Sequence, residues 1–417
     1  MEKKQQEQQK DSKKETNQVE EQLKSIYKVV PEIPTSEKIK GYDFNDGIQW
    51  DKLFDSYKGF GLQSSHLHQA IEEVKKMIRW RLSDEPYNPD LDGDQYKDEE
   101  TRKNTRCTIF LGYTSNMISS GVREVIRYLC QHKMVDCIVT SGGGVEEDFI
   151  KCLKDFYLGS WQCDDKQLRL KSQNRIGNIL VPSENYCTFE DWLIPIFKEM
   201  YEDQINNNNI YTPSKIIRKL GEKINNEDSV YYWCYKNDIP VFCPAITDGA
   251  IGDMLFYFSY KCSGFIIDLV EDIRQINKIV LAAKKTGVVI LGGGVVKHHI
   301  MNSNIWRNGA DFGVFLNTGL HYDGSDAGAM ASEAISWGKL QMDSSYVKVW
   351  GEASLSFPIL VAKSFAEMEE QATKLTKEQR KELLENLNKK KQKQKNQKQE
   401  NQQENSTQDS DKQNKSE

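Results

Sequence analysis

The chain has 417 residues, enough for a large core in one or two domains. A formal net charge of −6 gives no general nucleic-acid signal, and no apolar run approaches the length of a membrane span. Nine cysteines lie scattered, with no CxxC pair and no His–Cys cluster. They read as small buried hydrophobes in a reducing compartment rather than as zinc ligands or disulfides.

Residues 1–25 are mostly Lys, Gln and Glu, and a Lys/Gln-rich tail runs beyond about residue 388. Neither end can bury enough apolar surface to offset the entropy of ordering. The expected organisation is therefore a disordered extension over 1–25, one α/β domain over 26–368, and a charged tail over 369–417 that is helical only at its start. The N-terminus lacks an apolar signal segment, so a cytoplasmic location is expected. Lys389, Lys390 and Lys391, with Lys393, Lys395 and Lys398, form a basic run. It reads as a solvated tail, with a nuclear signal or an RNA-binding tail as the alternatives.

Between the ends, short apolar runs alternate with amphipathic ones. CTIFLGY (107–113) predicts a strand, and SSGVREVIRYLCQHK (119–133) a helix, with Val122, Val125, Ile126 and Leu129 at helical spacing. DCIVT (136–140) predicts a second strand, closed by SGGG, and VEEDFIKCLKDF (145–156) a helix with acids in its first turn. Further strands are predicted at 176–182, 239–245, 264–269, 287–293, 311–317 and 347–352, with helices at 270–285 and 354–368. Strands apolar on both faces that alternate with helices imply a Rossmann-like parallel sheet covered on both sides. Ligands of such sheets bind at the carboxyl ends of the strands. Here those ends carry TSN, SGGGVEED, TDG, GGGVVKHH and NTG.

Two glycine runs follow strands directly, Gly142–Gly144 and Gly292–Gly294. Glycine there lets backbone approach a pyrophosphate, and the following helix offers its first amides. Neither run has GxGxxG spacing, and each alone is equally a tight turn. Together with Thr114, Ser115 and Asn116 they leave a nucleotide site and simple turns as the two readings. His298 and His299 are adjacent, so they point to different sides of a helix and do not share a metal. One is a candidate general base, or else a satisfied histidine at a helix start. No metal site is expected. HYDGSDAGAMASEAISWGK (321–339) is poor in aliphatics but holds Asp323, Asp326, Glu333, Trp337 and Lys339. It is either a solvated acidic loop or an amine site. Carboxylates would pair with ammonium groups, the indole would cover the methylene chain, and a lysine desolvated beside them would become an amine nucleophile.

At this point the chain resembles one family, the deoxyhypusine synthases. The likeness runs from about 41 to about 368. It rests on TIFLGYTSNMISSG, GGVEEDFIKCL, RIGNILVP, NYCTFEDWL, TPSKIIRKLG, SVYYWCYKNDIPVFCPAITDGAIGDM, LGGGVVKHHI, NGADFGVFLNT, DGSDAGA and EAISWGK. The resemblance implies NAD-dependent transfer of the 4-aminobutyl group of spermidine to a lysine of the translation factor 5A precursor, through an enzyme–lysine imine. It implies Lys339 of SWGK as nucleophile and His298 as proton shuttle. It implies polyamine contacts at Asp253, Asn302, Asp326, Glu333 and Trp337, with Glu146 and Gly324 nearby. It implies NAD contacts at Ser115, Asn116, Ser119, Ser141, Gly143, Glu147, Asp248, Gly293, Thr318, Gly319, Glu352 and Ala353. A cytoplasmic homotetramer with active sites at subunit interfaces is implied as well, with no nucleic acid and no membrane among its partners. Departures from the family pattern are Glu352 where aspartate is usual, Phe315 for tyrosine, and Ser141 and Gly142 for threonine and alanine. Against the active enzyme stand a catalytically weak paralogue, a homospermidine-forming relative and a generic NAD-binding deacylase.

Overall fold

A computed structural model describes residue 14 and residues 16–23, 38–90 and 92–374. Residues 16–23 are helical, so within the expected N-terminal extension this part is ordered into a helix. Residues 1–13, 15, 24 and 25, the tail beyond 374 and the basic run at 389–398 lie outside the described residues. The expected helical start of the tail falls in the helix Glu367–Lys374.

Among the described residues nine strands follow in chain order: β1 (Thr108–Tyr113), β2 (Cys137–Thr140), β3 (Tyr157–Leu158), β4 (Gln173–Ile176), β5 (Ile179–Pro182), β6 (Val241–Phe242), β7 (Thr286–Leu291), β8 (Ala310–Asn317) and β9 (Leu340–Trp350). Six of them form one sheet in the order β6-β2-β1-β7-β8-β9, and every pairing in it is parallel. All six residues of β7 are buried, as are five of the six of β1. That is why these strands read as unbroken apolar runs: both faces are covered. Alternate side chains enter different layers. Ile109, Leu111, Tyr113, Val289 and Leu291 join one core cluster, which also includes Val74 and Met77 of the helix Leu62–Arg79. Phe110, Val288 and Ile290 join the other, with Ile276 and Val280 of the helix Leu269–Ala282 and with Val296, Ile300 and Met301 of the helix Gly294–Asn304.

Two strand expectations are corrected. Residues 176–182 do not enter the parallel sheet: the chain turns at Gly177 (φ 60) and pairs β4 with β5 in a separate antiparallel sheet, with β3 on the other side of β5. A Gly-Asn turn between short apolar runs is a hairpin signal, and it overrides the run of apolar residues. Residues 264–269 make only an isolated bridge, Tyr211 to Ile267. Asp268 then caps the next helix, accepting from the amides of Val270 (2.8 Å) and Glu271 (3.0 Å), so the segment ends before a strand can form.

From β1 the chain builds outward to β2 and β6; from β7 it builds the other way, to β8 and β9. The reversal lies between β1 and β7, the place where an open α/β sheet forms a crevice at its carboxyl edge.

Candidate active site

On the β1 side, three strand ends converge. Ser115 and Asn116 open the short helix Asn116–Ser119 after β1, and Ser141 precedes the helix Gly142–Leu153 after β2. A Cβ on Gly143 would stand 2.9 Å from the Ser115 Cβ and 3.7 Å from Glu147 Oε1, so only glycine lets the two turns meet this closely. Asp248, exposed after β6, lies behind the same turn: its carbonyl oxygen is 2.5 Å from where a Gly142 Cβ would be. Buried Ser119 donates its hydroxyl to Glu147. Burial pushes Glu147 up to about 7, and the Ser119 hydroxyl opposes the rise. The Ser141 hydroxyl is buried without a hydrogen-bond partner. An unpartnered donor at a helix start, beside a glycine cradle, fits the phosphate or ribose of a dinucleotide.

This turn is braced from behind. Asp148 is fully buried and accepts from Arg123 Nε (2.7 Å), Ser229 Oγ (2.6 Å) and the Val230 amide (3.1 Å). Tyr231 donates its hydroxyl to the Gly144 carbonyl. Lys151 donates to the carbonyls of Ile118, Ser119 and Ser120 at 3.1–3.2 Å, closing the helix that carries Asn116 and Ser119. Glu146 has a different task. Its carboxylate accepts from the amides of Ala250 (2.9 Å) and Ile251 (2.8 Å), which caps the helix Ala250–Lys261 and places Asp253 on its exposed first turn. Burial raises the Glu146 pKa, the two amides oppose this, and Asp253 and Asp248 add to it.

On the β7 side, Gly293 packs against Ala327, whose Cα would lie 2.4 Å from a Gly293 Cβ. The helix Gly294–Asn304 then presents Lys297, His298, His299 and Asn302. His298 is 58% exposed, with Nδ1 3.7 Å from Asp326 Oδ1. Asn302, four residues on, shares its helix face and is exposed. His299 faces a different environment, where burial lowers its pKa and His298 lowers it further. Lys297 is buried, donates to the Asp326 carbonyl, and lies 5.6 Å from the ring centroid of Phe315. Phe315 is thus a buried ring beneath a cation. Burial lowers the Lys297 pKa; Asp326 and Glu333 oppose that, while Lys348 and Lys339 reinforce it. These five groups form one charge cluster. Within it, Asp326 Oδ2 is buried and unpartnered.

Glu333 starts the one-turn helix Glu333–Ser336 and accepts from the Met330 amide (3.2 Å). Lys339 follows Gly338 (φ 67) and is tied by its backbone on both sides. Its amide donates to the Ala334 carbonyl (2.8 Å), and its carbonyl accepts from Ala310 (3.0 Å). Its Nζ lies 5.9 Å from the ring centroid of Trp337, which is 70% exposed. Gly324 (φ 70) is at the exposed tip of the same loop. At the ends of β8 and β9, exposed Thr318 accepts the Trp350 indole N–H at its carbonyl (3.0 Å), and Gly319 donates to Asn317 (3.0 Å). Glu352 immediately precedes the helix beginning at buried Ala353, and Ser354 donates its hydroxyl to the Glu352 carboxylate.

The candidates therefore sort into two groups, with the Lys339 backbone at the opposite, amino end of β8 and β9, where it bonds to Ala310. Ser115, Asn116, Ser119, Ser141, Gly143, Glu147, Asp248, Glu146 and Asp253 belong to the β1 side. The lysine, histidine, carboxylates and tryptophan belong to the β7 side, together with Gly293, Thr318, Gly319, Glu352 and Ala353. The seam is tight, since a Cβ on Gly292 would stand 2.9 Å from the Thr114 side chain. Asp253 does not join the lysine within one chain by strand order alone, because β6 and β8 are four strand spacings apart, about 19 Å. Lys151, Lys297 and Lys348 are the residues that sequence reasoning passed over. The signal was a lone charge inside an apolar run, as in VKVW, which implies a paired cation. Among the described residues no group of three His, Cys, Asp or Glu side chains could hold a metal ion, and no helix is long and apolar enough to cross a membrane.

Comparison with known proteins assigns the chain to a family. The deoxyhypusine synthase family model matches residues 52–364. A Dictyostelium discoideum protein named probable deoxyhypusine synthase is 56% identical over 329 residues, 79% of this chain and 86% of that one. The Senecio vernalis deoxyhypusine synthase is 53% identical over 340 residues, 81% and 91% of the two chains. A Senecio vulgaris homospermidine synthase is 51% identical over 345 residues, 82% and 92%. Among solved structures, an Entamoeba histolytica protein provisionally given the deoxyhypusine synthase name aligns with TM-score 0.57 at 35% identity, covering 79% of this chain and 97% of that one.

Proposed function

The chain belongs to the deoxyhypusine synthase family, and from that premise we propose that it moves the 4-aminobutyl group of spermidine onto one lysine of the translation factor 5A precursor. The observation that carries this reading is the grouping of Lys339 with Trp337, Glu333, Asp326 and His298 beside a glycine-lined crevice. Asp326, Glu333 and Asp253 take the ammonium groups of the polyamine, and the Trp337 face covers its methylene chain. Asp326 orients His298, which removes the proton from the reacting amine. NAD, held by Ser115, Asn116, Ser119, Ser141, Gly143, Glu147, Asp248, Gly293, Thr318, Gly319, Glu352 and Ala353, supplies the hydride acceptor. The Lys339 amine attacks the carbon of the resulting imine. The bond from that carbon to the departing nitrogen breaks, and 1,3-diaminopropane leaves with the proton that His298 returns. The acceptor lysine then displaces Lys339, and the returning hydride completes a stable amine.

The unpartnered Ser141 hydroxyl supports the NAD assignment, and the unpartnered Asp326 oxygen supports a cationic substrate. The exposure of Trp337 supports a homotetramer in which a second copy completes the site, with Asp253 entering from across the interface. A cytoplasmic location accords with the soluble acceptor. A second reading, transfer to putrescine, is favoured by the likeness to a homospermidine synthase.

The test is transfer of label from butyl-labelled spermidine, with NAD present, using wild type and Lys339→Ala. Labelled acceptor protein with wild type alone supports the proposal. Label in homospermidine supports the second reading. No transfer by folded, NAD-binding wild type removes both.

A further inference from the structure

Residues 319–328 leave the end of β8 and return to nearly the same point. A Cβ on Gly319 would stand 2.8 Å from the Gly328 nitrogen and 2.9 Å from the Ala327 carbonyl carbon. A Cβ on Gly328 would stand 2.0 Å from the Leu320 carbonyl oxygen. The two limbs therefore touch backbone to backbone, as at the neck of an Ω-loop. Any side chain at either glycine would force the neck apart.

Lys348 spans this neck. Its Nζ donates to the carbonyls of Gly319 (3.3 Å) on one limb and of Ala327 (3.4 Å) and Gly328 (2.6 Å) on the other. An ammonium has three N–H groups, so one side chain serves both limbs with its whole donor set. Burial lowers the Lys348 pKa, while Asp323 and Glu333 oppose the shift. Inside the loop, Asp323 accepts from the Ser325 amide (2.8 Å) and Ser325 Oγ accepts from the Gly328 amide (3.1 Å). The loop interior is thus stiffened by its own short bonds, and its attachment depends on the neck. What the loop displays is Asp326, beside His298 on one side and bound through its carbonyl to Lys297 on the other.

We propose that Lys348 is a positioning residue that pins the neck of the 319–328 loop and thereby holds Asp326 in place for His298 and for a cationic amine substrate. The ammonium takes the position a structural cation would have in a carbonyl cage. The proposal rests on the amine-site reading of this loop.

The test has one arm that needs no turnover. In hydrogen exchange of the full-length protein, Lys348→Met, which keeps the methylene stem and removes the donors, speeds exchange of the Gly328 and Ala329 amides about tenfold or more, the scale of losing one charge-assisted hydrogen bond. The amides of β1 and β7 keep their protection. In the second arm, Lys348→Met raises KM for spermidine about tenfold on the same reasoning, with a smaller fall in kcat, and Lys348→Arg recovers most of it. If Lys348→Met does not fold, Lys348→Leu, which also lacks donors, replaces it in both arms. Unchanged loop exchange in a folded variant overturns the clamp whatever the activity. A loosened loop with unchanged KM overturns the positioning role. A wild type that turns over no spermidine would instead sink the functional reading, while the exchange arm still judges the clamp.

Discussion

Glu147 carries a stability cost that can be measured. Its carboxyl is buried where its own helix meets the short helix Asn116–Ser119, and burial pushes its pKa from the ordinary 4.5 to about 7. An acid whose folded pKa is raised holds its proton in the native state after the unfolded chain has released it. Stability is therefore lost as pH rises from about 4.5 to about 7, and no more is lost above that. At ~1.4 kcal/mol for each tenfold change, the interval corresponds to about 3 kcal/mol. Glu147→Gln keeps an acceptor for the Ser119 hydroxyl and removes the ionisation. The variant should be close to wild type at pH 4.5 and more stable by about 3 kcal/mol at pH 8. The assay is urea unfolding of NAD-free protein at pH values spanning this window, with midpoints converted through a common slope. On the proposed NAD assignment, the same variant should bind NAD more weakly, because an amide replaces a carboxylate assigned to the cofactor. A variant no more stable than wild type at pH 8 would refute the claim that burial of a charge dominates here.

Three further outcomes follow from the same geometry. Asp148→Ala leaves the Arg123 guanidinium buried without its partner and should cost about 3–5 kcal/mol of stability in a denaturant titration. Gly143→Val places side-chain atoms where Ser115 already stands, so NAD affinity measured by fluorescence quenching should fall at least tenfold, ~1.4 kcal/mol, while spermidine-independent stability changes less. Asp326→Asn removes the charge beside His298; steady-state kinetics should show KM for spermidine raised roughly tenfold or more and KM for NAD little changed.

The central strands were legible because burial on both faces leaves an unmistakable pattern: β1, β2, β7 and β8 lie within a residue or two of their expected bounds. Residues 176–182 and 264–269 misled for the opposite reason. They are apolar but short, and a Gly-Asn turn and an Asp helix cap decide their fate. For the site, SWGK and the acidic loop pointed to Lys339, Trp337, Glu333 and Asp326; the fold sets Trp337 beside Lys339 and Asp326 beside His298. The supporting shell was legible only as lone charges in apolar runs, which imply a paired cation but not its partner. Lys151, Lys297 and Lys348 bind backbone carbonyls, and a carbonyl leaves no trace in the identity of the residue that offers it. The bonds of Glu146 were hidden in the same way: its carboxylate caps a helix whose partner amides are over a hundred residues away.

The most direct test of the account asks which atom receives the butylamine group. Wild-type protein incubated with NAD and spermidine, without acceptor, is treated with borohydride, digested and sequenced by mass spectrometry. The account predicts an aminobutyl adduct on Nζ of Lys339, absent without NAD and absent in Lys339→Arg. An adduct at Lys297 or Lys348, or hydride transfer to NAD with no adduct on any lysine, would contradict it.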